Sequence, residues 1–290
     1  MTGESLRLGS RTFALTEFAV MAIINRTPDS FYDNGATYDL ESALLRLDEA
    51  VGEGADIVDV GGVKAGYGPV VDAAEELRRT ADFVAEARAR HPQLVISIDT
   101  WRSEVADTLC ALGADLINDT WAGHDPELTA VAAIHGAGLV CSHSGGLGPR
   151  TDPHRAAYDD VVADVIATTT GLAEKAVSAG VRRDGILIDP THDFGKNTRH
   201  SLELTRRLGE LVDTGWPVLV ALSNKDFVGE TLDRGLLDRL PGTLAATTVS
   251  AWLGARVFRA HNIAKTKQTL DMVASILGNR PPAIARRGLA

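Results

Sequence analysis

The stretch Ile186-Leu187-Ile188-Asp189-Pro190 restricts the fold of this chain more than any other part of it. Three apolar residues without polar alternation read as a strand buried on both faces, the mark of a parallel sheet covered by helices. A carboxylate then stands at the strand's C-terminal end. Pro190 and Gly195 break the chain before the next helical run. The same order, an apolar run and then a polar residue at a turn, occurs eight times, with apolar runs at 18–24, 56–60, 94–98, 116–117, 139–141, 186–188, 218–222 and 257–258. Between them lie stretches with a 3.6-residue apolar stripe, at 39–54, 73–90, 103–112, 127–135, 156–179, 201–213, 244–253 and 266–277. Gly54, Gly113, Gly136, Gly180 and Gly278 stand just past the ends of such stripes, where a left-handed residue stops a helix.

Eight strand–helix alternations in roughly 250 residues predict a (β/α)8 TIM barrel. A doubly wound open sheet is the alternative, but no Gly-x-Gly-x-x-Gly follows the first strand. Residues 5–15, with Gly9-Ser10 in the middle, read as an N-terminal hairpin capping the barrel floor. Residues 1–278 are expected to form one domain, and 279–290, with Pro281-Pro282 and Arg286-Arg287, an irregular tail. An apolar share of 44% with only 5% aromatics suits aliphatic layers in such a barrel. A net charge of −10 argues against nucleic acid or an acidic membrane as the main partner, so an anionic ligand would need basic residues gathered locally. The two cysteines, Cys110 and Cys141, make no CxxC and no disulfide framework, so they read as core thiols of a cytoplasmic protein. No apolar run approaches 18 residues and the first residues lack a charged-then-apolar signal pattern, so a soluble protein that is not exported is expected.

In a (β/α)8 barrel the residues after each strand share one face, and chemistry resides there. Here they are Asn25, Gly61-Gly62, Asp99, Asn118-Asp119, His143, Asp189, Ser223 to Lys225, Arg259 and His261. One polar strand end means little, and Asp99-Thr100 and Asn118-Asp119 would also serve as N-caps of the helices that follow. Taken together, Asp99, Asn118 and Asp189 offer alternating acceptors and donors to a flat heterocycle. Lys225 suits a ring carbonyl or nitrogen, Arg259 a ring face, and Asn25, Arg259 and His261 a phosphate. Arg259 and His261 alternate along a strand exit, so both face one side. His143, His192 and His200 lack the spacing of a zinc site. A Schiff-base role for Lys225 has no supporting neighbour in the sequence.

Several segments carry a closer likeness. They are Met21 to Phe31, with Asn25-x-Thr27-Pro28-Asp29-Ser30-Phe31; Gly54 to Gly62; Ser97 to Thr100; Ile117 to Asp119; Asp189 and Phe194-Gly195-Lys196; Ser223 to Gly229; and Arg259-Ala260-His261. Across nearly its whole length the chain resembles the dihydropteroate synthase family. That resemblance implies a (β/α)8 barrel, usually a homodimer, that joins a pterin methyl diphosphate to p-aminobenzoate with loss of pyrophosphate. Magnesium is expected to ride on the diphosphate. The resemblance also implies a pterin pocket of Asp99, Asn118, Asp189, Lys225 and Arg259. It implies diphosphate contacts from Asn25, Arg259 and His261, a magnesium ligand in Asn25, and an acceptor-cleft wall in Phe194.

The departures from the family pattern lie on the acceptor side. Where the family runs Gly-Gly-Glu-Ser-Thr-Arg-Pro-Gly, this chain runs Gly61-Gly62-Val63-Lys64-Ala65-Gly66-Tyr67-Gly68, without the arginine that helps hold the diphosphate. Where the family reads Ser-Arg-Lys-Ser-Phe, this chain reads Ser223-Asn224-Lys225-Asp226-Phe227. A carboxylate at Asp226 would repel that of p-aminobenzoate, by a few kcal/mol at ~4 Å and an effective dielectric of ~20. His-Asp after the eighth strand becomes His261-Asn262, an apolar residue becomes Arg26, and the fifth strand ends in Cys141-Ser142-His143-Ser144. Lys64 and Arg26 are candidates to replace the missing positive charge. The sequence therefore reads as a dihydropteroate synthase-like protein that keeps its pterin pocket and has little or no synthase activity, with Lys64, Phe194, Asn224 and Asp226 forming an altered acceptor cleft. The alternatives are an active synthase, a non-catalytic pterin-binding module, and a methyltetrahydrofolate methyltransferase with a cobalamin partner.

Overall fold

A computed structural model describes residues 5–28, 37–66, 68–151 and 157–288. Asp29, Ser30, Phe31, Tyr67, Ala156 and the last two residues of the tail lie outside the described residues. The chain opens with a small antiparallel pair, β1 (Leu6–Leu8) and β2 (Arg11–Phe13). Eight parallel strands follow: β3 (Ala19–Asn25), β4 (Ile57–Gly61), β5 (Val95–Asp99), β6 (Leu116–Asp119), β7 (Gly138–Ser142), β8 (Ile186–Asp189), β9 (Leu219–Ala221) and β10 (Val257–Ala260). Their order is β8-β7-β6-β5-β4-β3-β10-β9, and a parallel bridge between Ile188 and Val218 joins the two end strands. The sheet is thus rolled into the expected barrel, with the helices outside.

Those helices are α1 (Leu40–Gly52), α2 (Ala73–Arg90), α3 (Ser103–Ala111), α4 (Leu128–His135), α5 (Val161–Ser178), α6 (Thr198–Arg206), α7 (Leu208–Val212), α8 (Asp226–Leu232), α9 (Leu240–Trp252) and α10 (Ile263–Ile276). Many starts follow from their caps. The side chains of Asp39, Asp72, Asp160, Asn197 and Asn262 each accept a backbone N–H of the first turn. Asn262 is therefore the cap of α10. Two differences from the sequence reading stand out. The stretch 201–213 is two helices, α6 and α7, broken at Arg207, whose side chain reaches Asp160, Glu203 and Glu210. The helix α8 is additional. At seven residues it is too short to display a stripe, and it ends on the left-handed Asp233.

Strand parity divides the core in two. Val20, Ala22, Val58, Val60, Ile96, Ile98, Ile117, Leu139 and Ile188 point outward and pack beneath the helices. Met21, Ile57, Val95, Leu116, Val140, Leu187, Leu219 and Val257 point inward at the lower end of the barrel. There they meet Leu6, Leu8 and Phe13 of the hairpin, which plugs the floor as expected. The fit is tight: a Cβ on Gly138 would come within 2.6 Å of the Gly185 carbonyl oxygen and 2.7 Å of a Leu8 methyl. Going up the barrel, the inward positions turn polar. Asp59, Ser97, Asp99, Asn118, Asp189, Arg259 and His261 lie in register above that apolar floor.

Candidate functional site

A cavity of about 500 Å³ opens at the C-terminal end of the strands. Eleven of the side chains named from the sequence line it: Asn25, Lys64, Asp99, Asn118, Asp189, Phe194, Asn224, Lys225, Asp226, Arg259 and His261. Its floor is a closed charge network that reading strand ends alone had not revealed. Asp59, wholly buried in mid-strand β4, accepts from Ser97 Oγ at 2.5 Å, Asn118 Nδ2 at 3.1 Å and Arg259 Nε at 2.6 Å. Arg259 Nη2 donates to Asp99 Oδ2 at 3.2 Å, and Thr120 Oγ1 donates to Asp99 Oδ1 at 3.1 Å. Burial works against the Arg259 charge, but Asp59 and Asp99 outweigh it and hold the guanidinium protonated. Burial pushes the Asp99 carboxyl up, against the pull of Arg259. Asp99 and Asn118 are therefore members of this network rather than helix caps. Asp119 takes a turn role instead, accepting the amides of Trp121 and Gly123.

Asp189 ends β8 and accepts the Thr191 amide at 2.7 Å. Burial pushes its carboxyl up to about 6, opposed by that amide and by Lys225, Lys196 and Arg259. Across from it Lys225 Nζ lies 4.3 Å from the Phe194 ring centroid, a cation–π contact, and burial lowers its pKa. The loop carrying Phe194 is wound tightly: Thr191, Asp193 and Gly195 have φ of 53°, 71° and 61°. A Cβ at Gly195 would meet the Ser144 carbonyl oxygen at 2.4 Å, so glycine is required there. Threonine is a poor residue for the left-handed region, and its side chain shows what holds it. Thr191 Oγ1 accepts the His143 amide at 3.1 Å and donates to the Asp189 carbonyl at 2.9 Å. Beneath the loop, buried Lys196 donates to the carbonyls of His143, Thr191 and Phe194 at 2.9, 3.1 and 2.8 Å. Burial drives its pKa down to about 7.

Asn25, Thr27 and His261 also line the cavity. Thr27 Oγ1 is buried and has no hydrogen-bond partner among the described residues. His261 Nδ1 lies 2.9 Å from Ser223 Oγ. Burial, with Arg259, Lys225 and Arg46 nearby, depresses the imidazole to about 3, so it is neutral at pH 7. At the mouth, Arg150 from the loop after β7 donates to the carbonyls of Gly66 and Pro69 in the loop after β4, tying two rims together.

Two sequence candidates are placed elsewhere. Arg26 does not face the cavity: its guanidinium donates to the carbonyls of Arg79, Thr37 and Tyr38, which fixes the loop after β3 against α2. Arg26 therefore replaces no missing phosphate ligand. His143 lies behind the wall, with Nε2 2.7 Å from Asp164 Oδ1. Asp226 does line the cavity, but its carboxylate is largely exposed and paired with Arg239 Nη1 at 2.8 Å, so its repulsion is partly neutralised. Residues that the sequence reading missed are Asp59, Trp121, which packs edge-on against Phe194 at 5.6 Å, and Asp193. An acid in mid-strand, as in Ile57-Val58-Asp59-Val60, was the available signal for the first.

Fold and site together define a (β/α)8 barrel whose mouth is shaped for a flat, hydrogen-bonding heterocycle beside an anion. Comparison with known proteins gives the same class. The family model described as pterin binding enzyme matches residues 21–261. The inactive dihydropteroate synthase 2 of Mycobacterium leprae is 57% identical over 287 residues, 98% of this chain and 99% of that one. A Yersinia pestis dihydropteroate synthase, solved as a sulfonamide drug complex, superposes with a TM-score of 0.89 at 31% identity, covering 95% of this chain and 100% of that one. The Thermus thermophilus enzyme in complex with 4-aminobenzoate gives 0.84 at 34% identity, covering 94% and 100%. The chain belongs to the pterin-binding enzyme family, among the dihydropteroate synthases.

Proposed function

We propose that this chain is a dihydropteroate synthase homologue that holds a pterin and makes little or no dihydropteroate. The observation that carries this reading is the contrast between the two halves of one cavity. The inner half has a complete set of paired donors and acceptors around Asp59, Asp99, Asn118, Asp189 and Arg259. The outer half is rimmed by the carboxylates of Asp193 and Asp226. In this reading Asp99, Asn118, Asp189 and Lys225 take the edge of the ring, and Arg259 lies against its face and reaches the diphosphate. Asn25 and His261 complete the diphosphate site. Departure of pyrophosphate needs charge neutralisation and positioning more than a strong base. A magnesium ion suits the Asn25 amide oxygen as a hard ligand. In this reading magnesium arrives with the diphosphate; among the described residues no group of three or more His, Cys, Asp or Glu could hold an ion.

The relative from Mycobacterium leprae that is 57% identical is described as inactive, which supports the same conclusion. The test is a paired measurement on the purified protein: pterin binding by calorimetry, and product formation from the pterin diphosphate and p-aminobenzoate. Binding without product is expected. Turnover near ~1 s⁻¹, ordinary for an enzyme, would make it an active synthase, and no pterin binding would remove the pterin role.

A second copy of the chain is proposed to cover the face formed by α9 and α10, which pack side by side. There Val249, Trp252, Met272 and Ile276 are exposed at 46%, 58%, 61% and 59%, an unusual cluster for a free surface. Residues 1–278 are taken as one domain carrying the tail. Among the described residues no helix is long and apolar enough to cross a membrane. Cys110 and Cys141 are free and buried, with burial pushing both thiols up to about 12, which suits a cytoplasmic setting.

A further inference from the structure

The outer end of the cavity carries two carboxylates of the chain itself, Asp193 and Asp226, each held by neighbouring donors. Asp193 Oδ2 accepts the backbone amides of Asp226 and Phe227 at 2.7 and 3.3 Å. Its Oδ1 accepts Ser201 Oγ at 3.1 Å. The nearby guanidinium of Arg239 donates to Asp226 Oδ1 and to the Asn224 carbonyl, both at 2.8 Å. Of the two lysines that line the cavity, Lys225 has its Nζ 4.3 Å from the Phe194 ring centroid, and Lys64 rises from the loop after β4, four strands round the barrel from Asp193. Asp193 also adopts φ 71°, a conformation disfavoured for a residue with a side chain, and its three hydrogen bonds offset that cost. The backbone is thus held in a costly shape by the bonds that place a carboxylate at the end of the cavity.

The remaining surface there is aromatic. Phe194 and Trp121 meet edge to face at 5.6 Å, and Trp121 meets Trp101 at 6.4 Å. Both Phe194 and Trp121 line the cavity. In the pterin reading Lys225 is taken up by the ring, and an incoming carboxylate meets the two like charges of Asp193 and Asp226. A planar amine without a carboxylate finds aromatic faces and acceptor oxygens. We infer that Asp193, with Asp226, is the specificity-determining element of the acceptor cleft, and that the cleft takes an uncharged aromatic amine in preference to an aminobenzoate. The inference rests on the pterin reading above.

Calorimetry on the full chain, with 6-hydroxymethylpterin and magnesium pyrophosphate present, compares p-aminobenzamide with p-aminobenzoate. The wild type is expected to bind the amide at least tenfold more tightly. Asp193→Asn keeps the shape and tolerates a positive φ while removing the charge, and Asp193→Gly removes both the side chain and the backbone cost. In each the preference is expected to fall at least fivefold, with pterin affinity within twofold of wild type. The Asn variant keeps the test open if the Gly variant does not fold. A wild-type ratio within threefold, no binding of the amide, or a ratio unchanged in both variants overturns the inference while pterin binding still stands. Loss of pterin binding in the wild type overturns the pterin reading and this inference with it.

Discussion

Arg259 and Asp59 meet in the middle of the barrel, Nε to Oδ2 at 2.6 Å, from strands β10 and β4 on either side of β3. Asp59 is wholly buried and the Arg259 side chain is 18% exposed. The pair sits at the floor of the cavity, and Arg259 also bonds Asp99 near its wall.

Truncation of Asp59 leaves the guanidinium and the Asn118 amide without their buried acceptor. Asp59→Ala is expected to lower unfolding free energy by about 3–5 kcal/mol, the usual cost of breaking a buried ion pair from one side. Urea denaturation followed by circular dichroism measures it, and a loss under 1 kcal/mol would show that the network does not hold the barrel.

In the proposed reading Asp189 accepts from a pterin's ring N–H groups, and Asp189→Ala is expected to abolish detectable pterin binding. Asp189→Asn retains shape without charge and should retain a weak signal. Calorimetry at pH 7.5 distinguishes them, and full affinity in the Ala variant would place the ring elsewhere.

The pH dependence has a definite sign. Asp189 must be ionised to accept ring N–H groups, and burial sets its carboxyl at about 6. Pterin affinity is therefore fully present well above pH 6 and is lost as pH falls through it. Between pH 7 and 5 a drop of about tenfold is expected from this group alone. Affinity that is flat over that interval, or rises, would contradict the assignment.

Gly195 has two reasons to be glycine: φ of 61°, and the Ser144 carbonyl oxygen 2.4 Å from where a Cβ would sit. Gly195→Ala is expected to cost about 2–3 kcal/mol and to displace Phe194, one residue before it. Thermal unfolding reads the first effect, and pterin affinity lowered beyond what stability explains reads the second.

At the α9–α10 face, Trp252→Arg places a charge in the middle of the proposed interface. Light scattering should give a dimer mass for the wild type and a monomer mass for the variant, with circular dichroism unchanged. A monomeric wild type would exclude the interface.

Much of this was legible in the residue order. Apolar runs closed by a polar residue located all eight barrel strands, because a strand buried on both faces leaves no other pattern. Eight of the eleven cavity residues were found because barrel chemistry gathers at strand ends, and Lys64, Phe194 and Asp226 came from the family resemblance. Asp59 escaped the same logic: it lies two residues below its strand end, and only parity with Ile57 turns it inward. Arg26 misled because a charge beside Asn25 looks like a ligand, whereas its partners are backbone carbonyls of residues 37, 38 and 79, which no local pattern reveals. Asp193 was invisible for a related reason. Its effect depends on a left-handed backbone and on amides more than thirty residues away.

The Asp59–Arg259–Asp99 network also bears on how such a chain can change over time. The groups offered to the ring are the same groups that neutralise one another inside the barrel, so a substitution that discards the pocket also exposes a buried charge to an apolar interior. A lineage released from making product would still be held to these residues by the need to fold. Asp226 at the mouth carries less of this constraint: its carboxylate is mostly exposed and paired with Arg239. Selection on stability alone thus preserves an old binding site at its floor while leaving its rim free to acquire another specificity.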